Sequence, residues 1–151
     1  MKRLTKKFVA IVIALFVVSA ISASSLVAVA STNDDIDFSF GIKAYNAITQ
    51  DPNKRLRSTS NNDNAWKVSL VLSNETTDNK GCGSFFCLGL EDETEASEWY
   101  LVERGSGEHY YPANDAADFR YVYLQCKDNN YSDKTYTVTG FWDEETGKEP
   151  H

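Results

Sequence analysis

The sequence predicts an all-β protein: an antiparallel two-layer β-sandwich of six to seven strands that follows an N-terminal signal helix. Three observations carry this. Past residue 30, apolar residues recur at every second position in several short segments, the period of a strand with one buried face. Clusters of Gly, Asn, Asp and Ser separate those segments, as turns separate strands. No segment past residue 30 shows the period of an amphipathic helix. Consecutive strands therefore pair antiparallel, without helical crossovers. Two packed sheets are expected, with a closed barrel as the alternative.

Residues 1–30 read as a secretory signal peptide. Met1 to Lys7 is basic, Phe8 to Val18 is an apolar run, and Ser19 to Ala30 is rich in small residues. Ala28-Val29-Ala30 has the small-x-small form a signal peptidase accepts, which places cleavage between Ala30 and Ser31. An uncleaved anchor is the alternative, because Phe8 to Ala30 is uncharged over a bilayer-spanning length. The four serines of this stretch favour cleavage, which leaves no stable membrane anchor. The long basic start and extended apolar run are Gram-positive in style, so the product is expected to be secreted.

Residues 31–35 form a polar leader. Residues 36–142 form the β-sandwich domain. Ile36, Phe38, Phe40, Ile42 and Ala44 alternate with polar or small residues as the first strand. Residues 47–64 hold Pro52 and runs of Asn and Ser, and read as one long loop. Trp66, Val68, Leu70 and Leu72 mark the next strand. Residues 84–90 are apolar on both faces, as in a central strand. Residues 98–103 form a further strand, and Gly105-Ser106-Gly107 a turn. Tyr110 and Tyr111 start a short strand that Pro112 limits. Residues 114–118 suit one helical turn. Residues 119–127 place Val122, Leu124 and Cys126 on one face, with Phe119, Tyr121 and Tyr123 on the other. Residues 134–142 form the last strand, and residues 143–151 a polar C-terminal tail.

Charge narrows the partners. The whole chain carries −7, but the four basic residues of the signal belong to export. The remainder has 11 basic and 22 acidic residues, hence −11. Such a body excludes nucleic acid bound through its phosphates and is repelled by anionic lipid. Lys54, Arg55 and Arg57 are its lone basic cluster, the expected dock for an anionic partner.

Cys82, Cys87 and Cys126 allow one disulfide. A bond from Cys126 to Cys82 or Cys87 would close a loop of about 40 residues. Buried free thiols are the alternative. Zinc and other cofactors are not expected, since the only histidines are His109 and His151. Calcium has two candidate sets, Asp34, Asp35 and Asp37, or Asp128, Asn129, Asn130 and Asp133, neither with EF-hand spacing. Ser106 and His109 sit too close in sequence to define a catalytic triad, and there is no Gly-x-Ser-x-Gly elbow. Tyr100, Tyr110, Tyr111, Tyr121 and Tyr123 form the candidate binding surface, because tyrosines stack on sugars and anchor protein partners.

Short features recur along the chain: Asp37-Phe38-Ser39-Phe40, Trp66-Lys67-Val68, Gly105-Ser106-Gly107-x-His109 and Gly140-Phe141-Trp142-Asp143-Glu144-Glu145-Thr146. Through these the chain resembles a small uncharacterised family of secreted β-rich proteins of Gram-positive bacteria, a domain of unknown function. The resemblance implies export and a single β-rich domain. It assigns no site residues, and the three cysteines depart from its pattern. The expected function is a secreted, non-enzymatic protein that binds a carbohydrate or protein partner of the envelope or medium. A bacteriocin-like or toxin-like effector and a small secreted hydrolase are the alternatives.

Overall fold

A computed structural model describes residues 34–76 and 82–151. The signal segment, with Ala30 and Ser31 at its cleavage point, and the start of the leader lie outside the described residues. The described residues are all-β, with eight strands and one short 3-10 turn. The strands are β1 (Ile36–Ile42), β2 (Thr49–Leu56), β3 (Trp66–Ser73), β4 (Gly83–Gly89), β5 (Tyr100–Glu103), β6 (His109–Tyr111), β7 (Tyr121–Asp128) and β8 (Tyr136–Asp143). They form two antiparallel sheets of four strands, ordered β1-β8-β3-β6 and β2-β7-β4-β5.

Alternation explains the core. Phe38, Phe40 and Ile42 of β1 are buried while Asp37, Ser39 and Gly41 are exposed. Val122, Leu124 and Cys126 of β7 likewise join the core. The two sheets meet there, with the Phe38 ring 5.6 Å from that of Phe86 across the interface. The 3-10 turn Asp115–Ala117 matches the helical turn expected at 114–118. The Asn114 side chain caps it by accepting from the Ala116 amide at 2.9 Å.

Four expectations need correction. The long loop at 47–64 contains β2, which raises the strand count from six or seven to eight. Hydrophobic alternation misses this strand because its buried positions carry Asp51 and, just past its end, Arg57. Pro52 fits because β2 is an edge strand whose pairing with β7 shifts register between Gln50 and Lys54. Secondly, Leu72 does not follow Leu70 inward. The β3–β8 register shifts between these residues and leaves Leu72 exposed.

Thirdly, the C-terminal tail is polar but not a free end. Asp143 to Thr146 are buried, and the Thr146 amide donates to the Ala65 carbonyl at 2.9 Å. Fourthly, all three cysteines are buried free thiols. Cys87 faces Gln125 and Cys126 faces Phe86 in the β4–β7 ladder. Adjacent strand positions point to opposite faces, so these two thiols cannot meet. Cys82 instead lies 3.1 Å from the Thr76 hydroxyl. Burial pushes the Cys87 and Cys126 thiols up, away from the reactive thiolate. A thiol reagent is therefore expected to label the folded protein slowly and all three cysteines on unfolding. Intact mass should show no loss of two hydrogens, and a two-hydrogen loss would contradict this arrangement.

Candidate functional site

The basic cluster does not form a docking surface. Arg57 is fully buried. Its Nη1 donates to the Glu144 carbonyl at 2.6 Å, and its Nη2 to the carbonyls of Asn61 at 2.8 Å and Asn64 at 2.6 Å. Arg55 turns to the acidic ends of β1 and β8, pairing with Asp34 at 2.5 Å and with Glu144. Only Lys54 stays available, with its Nζ 4.7 Å from the centre of the Tyr121 ring. Both arginines of the cluster are thus taken up by the domain's own carbonyls and carboxylates.

Those carboxylates converge. Asp34, Asp143 and Glu144 each bring an oxygen within 4.8 Å of the other two. The β1–β8 ladder causes this, since Ile36 faces Trp142 and the chains run on antiparallel from there. Asp143 is fully buried. One of its oxygens accepts the Glu145 amide at 3.1 Å, while Oδ2 has no hydrogen-bond partner. Burial pushes the Asp143 carboxyl up to about 7, helped by the Glu144 and Asp34 charges and opposed by the Glu145 amide and Arg55.

The first calcium set expected from the sequence does not assemble, and in the second the Asn130 side-chain amide donates to both Asp128 and Asn129. Asp34 parts from its neighbours, for Asp35 pairs with Lys67 at 2.6 Å and Asp37 points outward on β1. Asp128 is a turn cap. Its carboxylate accepts from Ser132 at 3.0 Å, Tyr136 at 3.0 Å and Asn130 at 3.4 Å. These bonds outweigh its burial and hold its carboxyl below the usual range.

The five tyrosines do not form one surface. Tyr100 and Tyr111 stack on each other, with ring centres 3.9 Å apart, and both pack beside Trp66. They close the gap between the edge strands β5 and β6. Tyr110 and Tyr123 are buried. Only Tyr121 stands open, at 53 % exposure. It lines a cleft of about 480 Å³ with Leu90, Glu91, Asp92 and Arg120. Leu90 and Arg120 were expected inside strands, but both lie in connections, and no local period marks where those connections meet beside Tyr121. A second outward aromatic group was missed too. The Lys127 ammonium sits 3.9 Å from the Trp99 ring centre and 5.9 Å from that of Phe85. Strand parity alone places Lys127 on the same face as Tyr121.

Ser106 and His109 do meet, with Oγ 2.7 Å from Nε2. The hydroxyl also donates to the Glu103 carbonyl at 2.6 Å. A serine has one hydroxyl proton, so His109 donates here and does not accept. That is the reverse of the polarity a general base needs. The pair secures the turn after β5.

A family model described as "Protein of unknown function (DUF2712)" matches residues 25–146. No curated protein and no solved structure matches the chain.

Proposed function

The chain belongs to the DUF2712 family, of unknown function, and we propose that this member is a secreted, non-enzymatic protein that binds a carbohydrate of the cell envelope through the Tyr121 cleft. One observation carries the reading. An open aromatic ring stands in a cleft beside a guanidinium and two carboxylates. Aromatic faces stack on the C–H faces of sugar rings, while charged and polar groups at the rim hydrogen-bond their hydroxyls. Lys54 against the Tyr121 ring adds a donor at the same rim. The net charge of −11 keeps the domain off anionic lipid and leaves direct contacts to decide the partner.

The test is sedimentation of the purified protein with insoluble cell envelope. Tyr121→Ala is expected to weaken retention about tenfold, as loss of a central aromatic does. Arg120→Ala should weaken it less. Tyr131→Ala removes an exposed tyrosine that packs at a tilt against Tyr45 and does not line the cleft, and should leave retention unchanged. Equal retention of Tyr121→Ala and the parent protein would sink this reading.

A further inference from the structure

We propose that Asp34, Asp143 and Glu144 form a binding site for a calcium-class divalent cation. The inference does not rest on the Tyr121 cleft. It starts from Asp143, a fully buried residue whose Oδ2 has no hydrogen-bond partner. Buried carboxylate oxygens are nearly always satisfied, because an unmet one carries its full desolvation penalty. The groups around it suggest what satisfies it. Asp34 and Glu144 contribute further carboxylate oxygens within 4.8 Å. The charges facing this group and Arg57 are Asp34, Asp118, Asp143, Glu144 and Glu145 against Arg55 and Arg57, five negative against two positive.

The donor set is all oxygen, with no imidazole or thiolate, which selects a hard cation over zinc. Three carboxylates from two separate segments give no preset octahedron, which favours calcium over magnesium. Asp34 is exposed and opens the site to solvent. Arg55 holds Asp34 through Oδ1 and Glu144 through Oε2. The ion would share these two carboxylates with Arg55. The ion would clamp the residues before β1 to the end of β8.

Three protein ligands imply weak binding, of the order of 10⁻⁴–10⁻³ M as in extracellular modules. Two measurements on the purified protein test the site: terbium luminescence sensitised by Trp142, the residue next to Asp143, and thermal unfolding with calcium or chelator. Luminescence is expected, with a rise in Tm of about 5 °C at about 10 mM calcium. Asp143→Asn should abolish both while folding normally in chelator. Asp34→Asn, at an exposed residue, should weaken binding about tenfold and decides the matter if Asp143→Asn does not fold. The proposal is overturned if the parent protein shows neither signal, or if Asp34→Asn binds as the parent does. An equal response to magnesium would overturn the assignment to calcium.

Discussion

Replacing Arg57 with methionine is expected to destabilise the fold by about 3–5 kcal/mol, the range for breaking a buried charge network by removing one partner. The guanidinium is fully buried and meets three carbonyls, those of Asn61, Asn64 and Glu144. Methionine fills the volume but leaves all three acceptors without that donor. It also removes the positive charge facing Glu145, Asp118, Glu144 and Asp143. Glu145 is itself committed, accepting from the Ser58 amide at 3.0 Å and from its hydroxyl. The network therefore ties the end of β2 to the end of β8. Lysine keeps the charge but lacks the planar fork that serves three carbonyls together, so Arg57→Lys should recover only part of the loss. Urea unfolding of the three proteins reads this directly. A loss under about 1 kcal/mol for Arg57→Met would show that Arg57 contributes little net stability; its Nε already lacks a partner.

Gly140→Ala is expected to cost about 3 kcal/mol or more, at or beyond the upper end for overpacking. A β-carbon there would lie 1.9 Å from the Ser69 carbonyl oxygen and 2.8 Å from Cζ of Phe38. The first obstacle is backbone, which cannot swing aside. Gly140 sits in an inner strand, opposite Phe38 of β1 and Leu70 of β3, so relief requires the sheet to open. Gly41 provides the control. Its nearest obstacle is the Tyr136 carbonyl oxygen at 3.9 Å, an ordinary contact, and Gly41→Ala should shift stability by about 0.5 kcal/mol or less. Thermal unfolding of both variants makes the comparison, and equal midpoints would refute it.

Where burial and alternation coincide, the strands were legible in the sequence. Phe38, Phe40 and Ile42, and again Val122, Leu124 and Cys126, point inward in the structure as their spacing requires. The same rule failed for β2 because its one buried position carries a charged residue, Asp51, and the next buried residue past its end is Arg57. Asp51 is covered there and caps the Asn53 amide at 2.9 Å. Hydrophobicity carries no mark of a charge that is buried with its partners.

The candidate sites show a sharper limit. Strand parity placed Tyr121 and Tyr123 on one face, yet Tyr123 is 9 % exposed and Tyr121 53 %. Parity gives a direction, whereas depth depends on neighbours from other strands. The acidic site could not be read from sequence at all. Asp34 stands near the start of the described chain and Asp143 near its end, brought together by the β1–β8 register.

By itself, then, the sequence determined an acidic, all-β domain with antiparallel strands, because both rest on composition and a local period of two. Tertiary structure alone decided that Arg57 of the basic cluster is buried and Arg55 paired, that the cysteines stay apart and that Tyr121 alone of the five candidate tyrosines opens to solvent. Each of those outcomes turns on which distant residue faces which across a sheet. Coulomb attraction, desolvation and packing act over a few ångströms in space, whatever the separation along the chain.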